Sequence, residues 1–226
     1  MGSGPFGSEP LDFLAGRGAE TAALSDAVAE LAAGTGRSVL IEGEPGIGKS
    51  TLAAAVLAGI DVDAVQVLRS GCDELERRFP LSVMVGALGV AEDSPDPDRA
   101  EAAAVLAHRS PEGAGRLPAA PGGDGTTAAV EKLAELVDRL CSRRPVVLLV
   151  DDLQWADEPS LALWTQLHRA AAQLPLLLIG LCRPTPRPAE LEALRTELAE
   201  AEHGLLLALE PLAPADVTRQ IGRAHV

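Results

Sequence analysis

The residues best suited to chemistry lie in two short segments, GEPGIGKST (residues 43–51) and VVLLVDDLQWADEPS (residues 146–160). The second segment places two adjacent carboxylates, Asp151 and Asp152, directly after five apolar residues. An apolar run of this kind is typical of a strand buried on both faces. Bare carboxylates are costly to bury there, and two neighbouring ones repel each other. The pair therefore predicts a positive charge at the end of this strand.

The glycine-rich segment has the spacing of a phosphate-binding loop, Gly-x-x-x-x-Gly-Lys-Ser, between Gly43 and Ser50. A predicted strand (residues 37–43) precedes it and a predicted helix (residues 49–59) follows, which is the context that this motif requires. The glycines allow backbone angles that turn successive N–H groups toward an anion, and the helix adds the positive end of its dipole. The predicted nucleotide-binding residues of the loop are Gly43, Glu44, Pro45, Gly46, Ile47, Gly48, Lys49, Ser50 and Thr51.

The side chains of the two segments predict a site for a nucleotide and Mg²⁺. Lys49 has the length to reach the β- and γ-phosphates, and Thr51 lies near the α-phosphate in this geometry. The metal ligands are then the Ser50 hydroxyl and Asp151, directly or through water, and Asp152 orients or deprotonates the attacking water. A solvated strand end that caps the next helix is the alternative interpretation of the aspartates, and the upstream phosphate loop favours the metal site.

Strands and helices alternate along the chain, and each predicted strand is almost wholly apolar. This pattern predicts an α/β fold, a P-loop NTPase with a parallel sheet flanked by helices on both faces. Ligands of such sheets bind beyond the carboxyl ends of the strands. The remaining predicted strands are residues 64–71, 146–150, 176–181 and 205–209. The main predicted helices are 21–34, 128–144, 160–173 and 189–202, together with two helices within residues 74–89 that Pro80 separates.

The chain divides by composition into a leader, a core and a tail. Residues 1–10 predict a flexible leader and residues 11–210 the ATPase core. Within the core, residues 91–127 are rich in Pro, Gly, Ala and Asp and predict a surface insertion ordered only around 99–109. Residues 211–220 predict the start of a C-terminal helical subdomain.

The amino-acid composition disfavours some classes of binding partner. The net charge of −14 disfavours direct binding of nucleic acid or an anionic membrane by this segment. No stretch has the length of a membrane span, and the N-terminus lacks the features of a secretory signal. The three cysteines are widely separated, which is typical of reduced thiols. We therefore expect a cytoplasmic protein without a membrane partner.

The motifs, in their order, resemble those of the AAA-like ATPase domain of STAND-type signalling ATPases, especially the large ATP-binding transcriptional regulators of the LuxR type. FLAGRGAE (residues 13–20) is similar to the family's entry motif near the adenine, and DDLQWAD (residues 151–157) to its Walker B signature. GCDELERRFPLSVMVGAL (residues 71–88), LLLIGLCRP (residues 176–184) and LEPLAPADVTRQI (residues 209–221) also resemble family segments.

The resemblance implies further roles. Arg183 stands where such ATPases sense the γ-phosphate, and a surface arginine that pairs with a carboxylate is the alternative interpretation. Arg17 stands where the entry motif contacts the nucleotide. Trp155 is expected to pack beneath the strand end, with Asp157 or Ser160 capping the next helix. Gln154 replaces a more usual histidine, which we interpret as a tolerated change.

The implied function is a nucleotide switch: an ATP-binding, slowly hydrolysing domain of a larger signalling or transcriptional regulator. ATP and ADP are its expected ligands, with self-association or contact with further C-terminal domains as the expected protein interaction. Two alternatives stay open. One is a nucleotide-binding module without turnover, and the other, which the DDLQWAD run disfavours, is a P-loop small-molecule kinase.

The last residues, IGRAHV (221–226), interrupt a predicted helix. One permitted back-translation, ATC-GGA-AGA-GCA-CAC-GTC, reproduces the start of a widely used sequencing-library adapter, which continues with a stop codon. We therefore expect these residues to be non-native and the natural chain to continue. Reading the source DNA tests this, since any other codons at 221–226 would contradict it.

Overall fold

The computed structural model describes residues 16–75, 77, 79–108 and 124–212. The strands are β1 (Arg37–Gly43), β2 (Gln66–Gly71), β3 (Val146–Asp151), β4 (Leu176–Cys182) and β5 (Gly204–Leu209). The helices are α1 (Gly18–Ala32), α2 (Lys49–Leu57), α3 (Ser82–Leu88), α4 (Pro97–His108), α5 (Asp124–Arg143), α6 (Glu158–Ala171) and α7 (Ala189–Glu200). A short 3₁₀-helix (Leu153–Trp155) connects β3 to α6.

The five strands form one parallel sheet in the order β2-β3-β4-β1-β5. Because every pair is parallel, all carboxyl ends lie at the same edge. Strand β4 runs between β1 and β3, so the ends of these three strands are neighbours. The chain leaves them at Gly43, Asp151 and Cys182, and the predicted chemistry is thereby gathered at one edge.

Helices cover both faces of the sheet because successive side chains of each central strand point to opposite sides. In β1, Val39 and Ile41 pack with α1 and α2 on one face. Leu40 packs on the other face, in a cluster that includes residues of α3, α5, α6 and α7. The predicted α/β fold, a parallel sheet with helices on both faces, is confirmed.

The helix boundaries differ from the predicted ones where the first turn carries no apolar signal. Helix α5 begins at Asp124 and not at residue 128, and α6 begins at Glu158 and not at 160. The apolar period starts later than the backbone hydrogen bonding because a first turn is stabilised by caps and by residues such as Pro159. Helix α4 occupies most of the stretch expected to be ordered within the insertion.

Several expectations fall on residues outside the described ranges. These are the leader, part of the entry motif, the middle of the insertion (residues 109–123), the helical subdomain beyond 212 and the tail at 221–226. The helix expected before Pro80 also lies partly outside them. Of the helices that are described, none combines the length and apolar character needed to cross a membrane.

Two of the cysteines have thiols of low reactivity. Cys141 and Cys182 are buried, and burial raises the pKa of each thiol to about 12. The thiolate is the nucleophilic form, so neither side chain is a nucleophile at neutral pH.

A buried histidine, His168, lies at the edge of the sheet opposite to the carboxyl ends of the strands. The ring of His168 is 1% exposed and stacks on His203, with ring centroids 4.6 Å apart. Burial lowers the pKa of His168, and the neighbouring His203 lowers it further. Glu197 acts in the opposite direction and Arg169 in the same one. The folded state therefore favours the neutral imidazole.

This burial makes stability depend on pH. Because the pKa of His168 is lower in the folded state than in the unfolded state, the unfolded chain binds more protons as pH falls past the ordinary value. We expect the free energy of unfolding to fall between about pH 7.5 and about pH 5.5. Urea titrations of the wild type and His168→Leu across this range check it. The same pH slope in both proteins would contradict the assignment.

The Asp157 carboxylate caps the start of helix α6 and also accepts a hydrogen bond from the residue before α3. Asp157 is the N-cap: its Oδ1 accepts hydrogen bonds from the amide of Ser160 (2.9 Å) and the amide of Leu81 (3.1 Å). Its Oδ2 accepts one from the Ser160 hydroxyl (2.6 Å). The expectation that Asp157 or Ser160 caps this helix is confirmed for Asp157, which in addition fixes the residue before α3.

Removing this carboxylate should cost more than an ordinary cap. Asp157→Ala leaves the buried Leu81 amide and the Ser160 hydroxyl without an acceptor, so we expect a loss of about 2–4 kcal/mol in the free energy of unfolding. Asp157→Asn keeps an acceptor oxygen and should lose much less. Urea denaturation measures both, and equal losses would show that the hydrogen bonds are not the cause.

Candidate functional site

The loop between β1 and α2 contains three glycines, and they serve different physical needs. Gly46 and Gly48 have φ of 75° and 102°, in the region that side chains disfavour. Gly43 is not among the glycines with positive φ, and its expected part in turning N–H groups toward an anion stays a prediction. A Cβ at Gly43 would instead lie 2.8 Å from Cγ2 of Ile47, so its role is to let the loop fold closely onto the strand.

The start of α2 presents unused backbone donors to the loop. The first hydrogen bond of the helix runs from the amide of Leu52 to the carbonyl oxygen of Gly48 (2.9 Å). The amides that precede Leu52 in the first turn have no acceptor within the helix. Together with the helix dipole, they form an anion-binding end directly beside Lys49 and Ser50.

Lys49 is held at the mouth of this loop. Its Nζ donates to the carbonyl oxygens of Gly43 (2.8 Å) and Glu44 (3.2 Å), and the residue is 7% exposed. A buried ammonium requires compensating partners. Within the described part of the chain, neutral carbonyl oxygens are the only acceptors of its hydrogen bonds, so the positive charge remains available to an anion that enters the loop.

The two predicted metal ligands meet. The Ser50 hydroxyl donates to Oδ2 of Asp151 at 2.5 Å, although the residues are far apart in sequence. This contact joins the first turn of α2 to the end of β3. The pair presents hydroxyl and carboxylate oxygens, the ligand type that Mg²⁺ prefers.

Asp152 points to a different partner. Its Oδ1 accepts a hydrogen bond from Nε of Arg183 at 3.1 Å, and its Oδ2 lies 3.5 Å from Nη2 of the same guanidinium. Both side chains are about one-third exposed. The two residues predicted as water-orienting group and γ-phosphate sensor thus form an ion pair, and Arg183 supplies part of the positive charge that the sequence required.

Gln154 has a structural role in the site that the sequence analysis did not predict. It was interpreted as a tolerated replacement, but it is fully buried. Its Nε2 donates to Oδ1 of Asp152 (2.8 Å) and its Oε1 accepts from the backbone amide of Arg183 (3.1 Å). Its position two residues after Asp152 was the available signal, since a polar residue between Leu153 and Trp155 is a candidate for a buried hydrogen bond.

These groups line one open cleft of about 240 Å³. Its lining residues are Pro45, Gly46, Gly48, Lys49, Ser50, Thr51, Asp151, Asp152 and Arg183. Asp152 was predicted to orient or deprotonate water and the other eight to bind nucleotide or metal, and those roles stay predictions. The charged side chains of the lining, two cations and two carboxylates, balance one another.

Four predicted residues support the loop and do not line the cleft: Gly43, Glu44, Ile47 and Arg17. Arg17 is 6% exposed, and its guanidinium donates to the carbonyl oxygen of Ile47 (3.3 Å) and pairs with Glu20 (3.2 Å). It therefore braces the phosphate loop from behind, and its predicted contact with the nucleotide stays a prediction.

Trp155 is only half-buried, beside a second, far smaller cavity of about 10 Å³. That volume is close to the space of a single water molecule. The tryptophan that packs fully against the sheet is Trp164 of α6, near Gly180 of β4. A Cβ at Gly180 would lie 2.9 Å from Leu153, so this glycine lets the turn after Asp152 settle on the sheet.

A second charged group braces the loop at the strand end. Glu42, whose side chain is 11% exposed, pairs with Arg187 (2.9 Å) and Arg195 (3.0 Å). The hydrogen bond to Glu42 raises the pKa of Arg195. These contacts tie the last residues of β1 to α7 and to the segment that precedes it.

Comparison with solved structures finds distant similarity. A RuvB variant of Thermotoga maritima matches with a TM-score of 0.45 and 15% identity, over 97% of this chain and 50% of that one. A chain of the Drosophila ORC structure with GC-rich DNA and Cdc6 gives 0.48 and 14%, over 86% and 56%. PCH-2 of C. elegans gives 0.44 and 12%, over 86% and 42%. The chain thus spans about half the length of the solved structures it matches.

No curated protein matches the sequence. A family model does: the model described as AAA ATPase domain matches residues 14–179, which include the phosphate loop, the DDLQWAD segment and most of the parallel sheet. This match covers well over half of the chain. The chain therefore belongs to the AAA ATPase domain family, whose members are P-loop nucleotide-binding proteins.

Proposed function

We propose that this chain binds ATP together with Mg²⁺, hydrolyses it slowly, and acts as the nucleotide switch of a larger signalling or transcriptional regulator. The observation that carries the proposal is the 2.5 Å contact between Ser50 and Asp151 in the cleft that Lys49 also lines. Hydrogen-bond donors for phosphate, oxygens that can bind a metal ion and a further carboxylate thus lie around one cleft.

The phosphate-binding part is built from the loop and the start of α2. Lys49 supplies a fixed positive charge, and the unused amides of the first helical turn supply directed donors. The left-handed backbone at Gly46 and Gly48 keeps the loop open toward the cleft. These features fit a di- or triphosphate, which needs several donors that converge on one anion.

The residues present also fit a magnesium ion. Mg²⁺ is usually held by one or two protein oxygens together with water and phosphate oxygens. Ser50 and Asp151 offer such oxygens on adjacent elements. When bound, the ion would neutralise charge on the β- and γ-phosphates. Asp151 then gains the strong positive partner that its place after a buried strand demands.

We assign the role of general base in hydrolysis to Asp152, and Arg183 is its ion-pair partner. In the described arrangement the guanidinium of Arg183 pairs with Asp152. A γ-phosphate would compete for this guanidinium, because an arginine binds phosphate oxygens in the same bidentate manner as carboxylate oxygens. Once released from Arg183, Asp152 can orient a water molecule and accept its proton.

The same ion pair favours the alternative of a binding-only module. If Arg183 keeps its hold on Asp152 when nucleotide is bound, no base is free and turnover does not occur. Binding without turnover, in the presence of Mg²⁺, would identify this alternative.

The regulatory role depends on the resemblance of the DDLQWAD segment and its neighbours to LuxR-type regulators. A switch requires that nucleotide state alters an attached element. The Glu42–Arg187 and Glu42–Arg195 pairs support this, because they link the residue before the phosphate loop to α7. Helix α7 leads through β5 toward the expected helical subdomain.

Loss of the Lys49 ammonium should abolish tight binding. We expect Lys49→Ala to weaken ATP affinity by about 100-fold or more, because the phosphates lose a buried charge that no neighbour replaces. The chain has only one other lysine, Lys132, which pairs with Glu101 on the surface. Lys132→Ala is therefore the matched control, with unchanged affinity. Calorimetric titration with MgATP measures both, and tight binding by Lys49→Ala would overturn the phosphate-loop assignment.

Loss of the Asp152 charge should separate binding from hydrolysis. We expect Asp152→Asn to lower the rate of ATP hydrolysis by about 100-fold or more with little change in affinity, because the amide cannot take a proton from water. Asp26→Asn, at an exposed position of α1, is the control with unchanged rate. Phosphate release under saturating MgATP is the measurement. Undiminished hydrolysis by Asp152→Asn would contradict the role of Asp152.

A further inference from the structure

Gln154 links the ends of two neighbouring strands through one buried amide group. It lies in the 3₁₀-helix that follows β3, and it has no exposed surface. Its Nε2 is 2.8 Å from Oδ1 of Asp152, and its Oε1 is 3.1 Å from the backbone nitrogen of Arg183, the first residue after β4. Both ends of the amide are therefore used within the candidate site.

The two partners fix the orientation of this amide. A carboxylate only accepts hydrogen bonds and a backbone N–H only donates, so the Gln154 NH₂ must face Asp152 and its oxygen must face Arg183. The reverse orientation would oppose two acceptors at one end and two donors at the other. A buried group with a single satisfied orientation is a rigid support.

This support divides the oxygens of Asp152 into two kinds. Oδ1 receives the bond from Gln154 and the 3.1 Å bond from Nε of Arg183. Among the residues that the structure describes, Oδ2 has only the long 3.5 Å contact with Nη2. The amide of Asp152 adds a constraint by donating to Oδ1 of Asp151 (2.8 Å), with Asp152 itself at φ 52°. Oδ2 is thus the oxygen available to a water molecule.

The bond to Arg183 involves its backbone and not its guanidinium. If the guanidinium turns from Asp152 to a phosphate, the Gln154 hydrogen bonds to the Asp152 carboxylate and to the Arg183 amide can both persist. Gln154 therefore keeps Asp152 oriented at the step when its ion pair is lost.

We propose that Gln154 is the positioning residue of this site, which holds Oδ1 of Asp152 so that Oδ2 faces the attacking water. The inference depends on the proposed hydrolysis of ATP and deepens it. It predicts an effect on the rate of the chemical step and not on nucleotide binding.

The experiment compares five variants of the full chain with the wild type, measuring kcat for MgATP hydrolysis and the affinity for ATP. Gln154→Met has similar length and no hydrogen-bonding group, and we expect kcat to fall by about 10- to 100-fold with affinity within about threefold. Gln154→His keeps one donor and one acceptor and should recover much of the rate.

Gln166→Met, at an exposed position of α6, is the matched control with unchanged kcat. Asp152→Asn with Gln154→Met should be no slower than Asp152→Asn alone, because positioning matters only if the carboxylate is present.

The outcomes separate the two proposals. A wild-type kcat in Gln154→Met, or an equal further loss in the Asp152→Asn background, overturns the positioning role while the proposed function stands. A loss of ATP affinity that parallels the loss of kcat shows a merely structural role and also overturns it. A wild-type chain that binds MgATP without turnover overturns the proposed hydrolysis, and the positioning role with it.

Discussion

The hydrogen bond between Ser50 and Asp151 is the contact on which the candidate site depends, because it joins the phosphate loop to the neighbouring carboxylates. Its partners lie on α2 and β3, and β4 runs between the strands that lead to them. The parallel sheet brings the end of β1, the end of β3 and the residue after β4 to one edge, and the strand order makes them neighbours there. The cleft, its charges and its metal-binding oxygens all follow from that placement.

The adjacent carboxylates Asp151 and Asp152 are compensated in different ways. Asp151 accepts a hydrogen bond from a hydroxyl and from the amide of Asp152, so a bound cation would be its first full positive partner. Asp152 already has the Arg183 guanidinium and the Gln154 amide. The backbone at Asp152 is left-handed, with a φ of 52°. The side chains of the two neighbours in sequence therefore have different side-chain partners.

Around the cleft, supporting residues hold the loop without touching the space where a ligand would lie. Arg17 binds the carbonyl oxygen of Ile47 from behind, and Glu42 anchors the strand end to Arg187 and Arg195. Gly180 leaves room for the turn that carries Gln154. Such supports make a binding geometry rigid, and they also offer routes by which a ligand in the cleft can affect α7 and the elements beyond it.

The sequence by itself determined the fold class, the phosphate loop and the carboxylates that face it. These features are local: apolar strand runs, glycine spacing and the order of residues after a strand follow from nearest neighbours in the chain. The tertiary structure alone decided that Gly43 is required for close packing, that Arg183 pairs with Asp152, and that Gln154 binds both. The contacts of Arg183 with Asp152 and with Gln154 depend on the distance between two strand ends, and the role of Gly43 depends on the distance between a strand and a folded loop. No local pattern encodes such distances, because they are set by how the strands order themselves within the sheet.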